Sequence, residues 1–119
     1  NAVVAYSQDG INWSSGSSGT DKILNDVVYD SDQVRFVAVG YDGTILYSDD
    51  GGARWTAASS GTTSLLYAIA YDGTGMLMAG GGPSVSGGAI DTCYSTDHGA
   101  TWTVLSNQTG SIYGLCWKP

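Results

Sequence analysis

The sequence predicts an all-β fold built from a repeated unit, and three observations support this prediction. The pattern Ser-x-Asp-(x)-Gly-x-x-Trp occurs three times, each time directly after a tyrosine, and its tryptophans are 42 and then 47 residues apart. A fixed period in the forties is typical of repeat architectures. All 11 acidic residues are Asp and 18 residues are Gly, which favours tight turns over helices. The many Tyr, Trp and Thr residues favour strands between these turns.

The repeated turn covers residues 7–13, 48–55 and 95–102. In each copy the Ser and Asp side chains are expected to accept backbone N–H bonds, the Gly to adopt a positive φ, and the Trp to pack over the hairpin. The residues with this structural role are Ser7, Asp9, Gly10, Trp13, Ser48, Asp50, Gly52, Trp55, Ser95, Asp97, Gly99 and Trp102. The first copy lacks one residue before its Trp and should form a tighter turn. We therefore predict a structural, not catalytic, role for the three carboxylates.

Alignment of the copies predicts four strands per repeat. An inner strand is expected over 23–30, 65–72 and 112–117, a second strand over 35–40 and 76–80, a third strand over 2–7, 44–48 and 90–95, and an outer strand that carries each Trp. Small residues such as Ala38, Ala68 and Ala79 lie in the inner and second strands, as expected where sheets converge on an axis. This pattern predicts the blades of a β-propeller, each of four antiparallel strands.

The strand count predicts about three blades in one segment that covers residues 1–119. A half blade is expected over 1–22, full blades over 23–64 and 65–110, and the inner strand of a further blade over 111–119. Such an arc has open strand edges, which favour association. Two arrangements fit: a piece of a longer propeller, or a protomer that closes a ring with copies of itself. The first residue is Asn1, which suggests a processed or excised piece.

The turn resembles the Asp-box, or bacterial neuraminidase repeat, of sialidases, some other glycoside hydrolases and many non-enzymatic propellers. The resemblance covers essentially the whole chain and is specific for the fold rather than for a function. It implies that the turns lie at the blade periphery, away from a central ligand site. The sialidase set of three arginines and a Tyr activated by Glu cannot be assembled, since the chain has only Arg35 and Arg54 and no Glu.

Three carboxylates remain as candidates for a catalytic pair, namely Asp26, Asp42 and Asp91. The alternative is that they are solvated or accept turn hydrogen bonds. The segments Asp30-Ser31-Asp32 and Asp49-Asp50-Gly51 are interpreted as turns, because neither has the spaced oxygen ligands of a calcium loop. No metal site and no cofactor are predicted, and His98, inside the third turn, is expected to face solvent.

The loops that join second to third strands, and outer strands to the next inner strand, are expected to lie at one end of the blades. One second-to-third loop is short, over 40–43, whereas the other extends over 80–89. A long loop on a rigid repeat is a common place for binding residues, although it can also be a neutral insertion. The candidate ligand-binding residues are Tyr41, Asp42, Gly81, Pro83, Ser84 and Ser86. Tyr41, Tyr67 and Tyr113 are either packing residues or platforms for sugar rings.

The charge and the remaining motifs limit the partners. A net charge of −7 argues against nucleic acid, and no apolar run is long enough to span a membrane. Cys93 and Cys116 lack metal-site spacing and are predicted to be two buried thiols rather than one disulfide. Asn107 begins a glycosylation sequence, whereas the match at Asn12 is discounted because Trp13 should be packed.

These features predict a non-catalytic binding or structural module that presents loops to a glycan or protein partner. Such repeats suit an extracellular, cell-surface or virus-particle protein within a larger assembly. Two alternatives stay open. In the first alternative, the chain is a fragment of a glycoside hydrolase with catalytic residues elsewhere. In the second, it is a lectin that assembles from identical copies.

Overall fold

The structure, a computed structural model, describes residues 2–83, 90–108 and 110–118, without the side chains of residues 107 and 108. Within these residues ten strands form three antiparallel sheets, and none of the sheets closes on itself. One 3-10 turn, Tyr41–Gly43, connects two of the strands. The prediction of an all-β fold is therefore confirmed. No helix in the described part of the chain is long and apolar enough to cross a membrane.

The three sheets follow one another along the chain. Sheet 1 contains β1 (Val3–Tyr6) and β2 (Ser14–Ser17). Sheet 2 contains β3 (Leu24–Asp30), β4 (Arg35–Gly40), β5 (Ile45–Ser48) and β6 (Thr56–Ala58), in that order. Sheet 3 contains β7 (Leu65–Tyr71), β8 (Leu77–Gly82), β9 (Ile90–Ser95) and β10 (Thr103–Gln108), also in chain order. The predicted four-strand repeat is thus present twice, and each outer strand begins just after its Trp rather than at it.

Sheets 2 and 3 pack face to face around one apolar core. Their strands supply β-branched and aliphatic side chains that alternate in direction, so one set from each sheet points into the shared interface. The largest fully buried side chains of this core are Val37, Val39, Ile45, Leu66 and Leu77. Sheet 1, with only two strands, covers a smaller part of the other face of sheet 2.

Sheets 2 and 3 share a β-bulge near the start of their first strands. The ladder pairs are Leu24 with Gly40 and Asp26 with Val39 in sheet 2, and Leu66 with Gly81 and Ala68 with Gly80 in sheet 3. Asn25 and Tyr67 are therefore the extra residues at equivalent positions. Gly40 and Gly81 face this bulge so closely that a Cβ atom would meet the backbone oxygens of Ile23 and Leu65, respectively. Only glycine fits at these two positions.

Connections of two kinds meet at one end of the sheets, as the sequence predicts. The N–H of Gly43, between β4 and β5, donates to the carbonyl of Ser64, between β6 and β7, at 2.8 Å. We call this the loop end of the molecule. The opposite end carries the three repeated turns and is called the turn end.

The strand predicted over 112–117 is wrong, because residues 111–118 form no strand. A strand needs a continuous row of hydrogen bonds to a neighbour. Among the described residues, only the N–H of Ile112 in this segment donates to a neighbouring strand, at the carbonyl of Gly81. Cys116 lies in this segment and is exposed, so the prediction of a buried thiol fails there. It holds for Cys93, whose pKa is raised to about 12 by burial and by Asp91. Both cysteines are free.

Candidate functional site

The third repeated turn uses its polar side chains to hold its own backbone. Ser95 Oγ donates to Asp97 Oδ1 at 2.7 Å and accepts the N–H of Gly99 at 2.9 Å. Asp97 also accepts the N–H of Thr101 at 2.9 Å, and Trp102 Nε1 donates to the carbonyl of Gly99 at 3.0 Å. Gly99 has a φ of 83°, the conformation that glycine adopts at no steric cost. The polar side chains of this turn are thus engaged within the turn itself.

The other two turns repeat this network with one difference. In the second turn, Ser48 accepts from Gly52 and Asp50 accepts from Arg54, each four residues further along, and Trp55 donates to the Gly52 carbonyl. In the first turn the same bonds span three residues: Ser7 accepts from Gly10, and Asp9 accepts from Asn12. The predicted tighter turn is confirmed. Trp13, however, is exposed rather than packed, because sheet 1 lacks the strands that would cover it.

The hydrogen bonds in these turns keep the carboxylates ionised. Bonds from the Thr101 side chain and backbone, together with Ser95, lower the pKa of Asp97 to about 2. The pKa of Asp9 is likewise lowered, mainly by the backbone N–H of Asn12. The pKa of Asp50 is lowered mainly by the backbone N–H of Arg54. A carboxylate that is ionised and already accepts several bonds makes a poor proton donor near neutral pH. The turn end therefore offers no acid for catalysis from these residues.

The three carboxylates considered for a catalytic pair also have partners within the protein. Asp26 Oδ2 accepts the N–H of Ile69 at 3.0 Å, which ties sheet 2 to sheet 3. Asp42 forms an ion pair with Lys22 at 2.7 Å, and Asp91 accepts the hydroxyl of Thr62 at 2.6 Å. Each carboxylate thus fixes a different connection, and this supports the structural alternative for all three.

The structure describes four of the six candidate binding residues at the loop end, and their surroundings differ. Tyr41 is partly exposed. Asp42 forms an ion pair with Lys22, and its backbone has a positive φ of 54°. Gly81 is buried and serves the bulge, and its carbonyl accepts the N–H of Ile112. Pro83 is partly buried, and Ser84 and Ser86 lie outside the described residues. The side chain of Asn107, the glycosylation candidate, also lies outside the described part.

An aromatic pair lies next to Gly81 at the loop end. The rings of Tyr67 and Tyr113 are stacked, with centroids 5.3 Å apart and an angle of 20° between the planes. Tyr67 is the bulge residue of β7, and Tyr113 follows Ile112, whose N–H bond to Gly81 holds the segment against β8. The Tyr113 side chain is 78% exposed. The bulge and one backbone bond therefore present a flat aromatic surface to solvent.

A buried acid and a histidine join sheets 2 and 3 at the turn end. Asp30, at the end of β3, is fully buried, and its Oδ2 lies 2.6 Å from His98 Nδ1 in the third turn. Its Oδ1 accepts the N–H groups of Asp32 and Gln33. His98 is therefore not a solvent-facing residue, and that prediction is wrong. His98 stands where the second turn has Gly51, and it adopts a positive φ of 61°, which is uncommon for a residue other than glycine.

Arg35 extends this contact between the sheets. Its guanidinium binds both carboxylate oxygens of Asp49, at 2.6 and 3.0 Å, and lies over the ring of Tyr47. Its Nη1 donates to the carbonyl of His98 at 3.2 Å. The planar guanidinium can make these contacts at once, which the ammonium group of lysine cannot. Arg35 thus fixes the second and third turns relative to each other.

The surroundings of Asp30 favour its ionised form. Burial would raise the pKa of this carboxyl group, but the bonds from His98 and from the N–H of Gln33 outweigh burial and lower it. The hydroxyl of Tyr71 is buried nearby and has no hydrogen-bond partner among the described residues. Burial and the Asp30 carboxylate raise the pKa of Tyr71 to about 12. Asp30 thus forms a structural contact between sheets 2 and 3, in which its carboxylate is stabilised by His98 and by the N–H of Gln33.

Acid is expected to destabilise the protein through these carboxylates. Because the folded-state pKa of Asp30 lies below its ordinary value of 3.8, its contribution is complete above that value and is lost as the pH falls through the folded-state pKa. Urea unfolding from pH 6 down to about pH 2.5 tests this. The free energy of unfolding should fall below about pH 4, and less steeply in Asp30→Asn. Equal slopes in both proteins would contradict a role for Asp30.

Comparison of the chain with protein-family models, with curated proteins and with solved structures gives no significant match. What the protein does is therefore inferred from its own geometry.

Proposed function

We propose that this chain is part of an Asp-box β-propeller and acts as a non-catalytic module that binds a glycan at its loop end. The propeller assignment is supported by the repetition of the sheets. Sheets 2 and 3 have the same strand order, the same bulge and the same turn network, and they pack face to face. Repetition of one blade in this manner around an axis is how propellers are built.

The non-catalytic part is supported by the state of the acidic side chains. The turn carboxylates Asp9, Asp50 and Asp97 accept backbone bonds within their own turns. The carboxylates elsewhere that were considered for catalysis bind Lys22, Thr62 or a backbone N–H. Retaining and inverting glycosidases need two carboxyl groups that face one bond of the substrate. These six carboxylates are instead bound to partners within the protein.

The observation that carries glycan binding is the exposed stack of Tyr67 and Tyr113. A tyrosine ring offers a large apolar face together with a polar hydroxyl, which matches the apolar face and the hydroxyl groups of a sugar ring. Gly82 lies beside the ring of Tyr67 and beside the hydroxyl of Ser111, and these two residues can supply the few polar contacts that fix orientation. Asp42 and Lys22 neutralise each other nearby in the loop end, so a neutral sugar fits better than a strongly charged one.

A glycan array followed by titration of the strongest hit tests this proposal. Tyr113→Ala should weaken binding at least tenfold, because it removes the exposed half of the stack. Tyr29→Ala is the matched control, since Tyr29 is also partly exposed but lies towards the turn end. Equal losses in both variants, or no binding to any glycan, would refute the site. Hydrolysis of the bound glycan would refute the non-catalytic role.

A further inference from the structure

The first repeated turn contains an acceptor sequence for N-linked glycosylation, Asn12-Trp13-Ser14. The expectation of a packed Trp13 counts against its use. In the structure, however, the asparagine and the serine are both exposed. Ile11, the residue before the asparagine, is 82% exposed, and a Cβ added at Gly10 would meet no heavy atom within 4 Å. This part of the turn therefore has room for a bulky attached group.

The second turn shows that a packed tryptophan does not hide the residues on either side of it. Trp55 is partly buried, whereas its neighbours Arg54 and Thr56 are exposed, because successive side chains of an extended segment point to opposite faces. The same three positions of the third turn have the same pattern of exposure, with Thr101, Trp102 and Thr103. The exposure of Asn12 and Ser14 thus follows from their positions in the motif and does not depend on what covers the tryptophan.

The hydrogen bonds of the first turn are compatible with a glycan on its asparagine. Asn12 Nδ2 donates to Asp9 Oδ2 at 2.7 Å, and the backbone N–H of Asn12 donates to Asp9 Oδ1, also at 2.7 Å. The side-chain amide nitrogen carries two hydrogens, and a glycan replaces only one of them. The remaining N–H can still donate to Asp9, so the turn keeps its bonds after modification.

We propose that Asn12 is an N-glycosylation site, which is modified as the chain passes through a secretory pathway. The donor is an oligosaccharide joined to a lipid through a diphosphate. Asn12 Nδ2 attacks the anomeric carbon of the first sugar and loses one proton. The bond from that carbon to the diphosphate oxygen breaks, and the lipid diphosphate leaves with the electron pair. Ser14 supplies the hydroxyl group that completes the acceptor sequence.

A glycan on Asn12 lies at the turn end of the molecule. The glycan-binding site that we propose lies at the loop end, so the attached glycan leaves it open. Neither proposal depends on the other. The modification does rest on the extracellular or cell-surface placement expected from the sequence, because the lipid-linked donor is found in the secretory pathway.

Secretion of the 119-residue chain from mammalian cells, behind a cleavable signal peptide, tests the proposal. Trypsin cleaves first after Lys22, so the peptide 1–22 contains Asn12 and lacks the second acceptor sequence at Asn107. Removal of the glycan by an amidase in heavy-oxygen water converts the modified Asn to a labelled Asp, which mass spectrometry detects. We expect the label at Asn12 in most of the secreted molecules. Secreted protein that lacks this label would overturn the proposal.

Variants of two neighbouring serines test whether the acceptor sequence itself is used. Ser14→Ala should abolish the label although Asn12 stays in place, whereas Ser14→Thr keeps the hydroxyl group and should retain the label. Ser15→Ala is the matched control, because Ser15 is also exposed but lies outside the acceptor sequence. A label that persists in Ser14→Ala, or that is lost in Ser15→Ala, would overturn the proposal. A label at Asn107 alone would assign the modification to the second acceptor sequence instead.

Discussion

Replacement of Asp30 by alanine is expected to lower the free energy of unfolding by about 3 kcal/mol. The variant removes the acceptor of His98 Nδ1 and of two backbone N–H groups, those of Asp32 and Gln33. These donors lie against a fully buried position, where water replaces the lost bonds poorly. The cost stays below that of a fully buried ion pair, because the His98 side chain is partly exposed.

Urea unfolding at neutral pH measures this effect, with Asp32→Ala as the control. Asp32 is exposed and two residues away, and its removal should change the free energy of unfolding by less than about 0.5 kcal/mol. A double-mutant cycle with His98→Ala then separates the side-chain pair from the backbone bonds of Asp30. A coupling near zero would mean that Asp30 stabilises only its own turn and does not join the two sheets.

The strands and turns could be predicted from the sequence because their signals are local. Each turn contains its own acceptors and donors within seven or eight consecutive residues, as the bonds of Ser95, Asp97 and Trp102 show. Some strands also carry a local pattern, as β3 does with its alternation of partly buried and exposed residues. The shorter spacing in the first turn likewise predicted a tighter turn, and the structure shows bonds that span three residues in place of four.

The contacts between sheets could not be predicted in the same way. Asp30 and His98 are 68 residues apart in sequence, and nothing in either segment indicates the other. Trp13 and Trp55 stand at the same position of the same motif, yet only Trp55 is packed, because burial depends on which strands cover the turn. The segment 112–117 has the residue pattern of an inner strand but lacks a neighbouring strand along its length. The residue pattern of a segment thus determines which secondary structure it can form, and the neighbouring strands determine whether it forms.

The glycan site that we propose shows the same division. Tyr67 and Tyr113 were open to two interpretations, packing or a platform for sugars, and the structure shows them stacked on each other with Tyr113 exposed. Gly81 was a candidate for ligand contact because it lies in a glycine-rich loop. The structure instead places it in β8, where its missing side chain makes room for the bulge that carries Tyr67. The sequence therefore did not show which residues of this region face solvent.

Replacement of Gly81 by alanine is expected to lower the free energy of unfolding by about 3 kcal/mol. The new Cβ would meet the carbonyl oxygen of Leu65 and would lie 2.7 Å from the amide nitrogen of Tyr67. Both atoms are backbone atoms of the strand to which Gly81 is paired, so relief requires a shift of the ladder itself rather than of a side chain. Gly40→Ala should cost a similar amount, because its Cβ would meet the backbone oxygen of Ile23 at the equivalent bulge.

Thermal or urea unfolding measures the effect, and Gly114→Ala is the control. Gly114 has no heavy atom within 4 Å of an added Cβ and has no positive φ, so this variant should unfold like the unchanged protein. If the bulge also positions the aromatic pair, Gly81→Ala should weaken glycan binding at temperatures where it is still folded, whereas Gly40→Ala should not. Equal stability of Gly81→Ala and Gly114→Ala would mean that the ladder yields easily at this point. The bulge would then not be what holds Tyr67 against Tyr113.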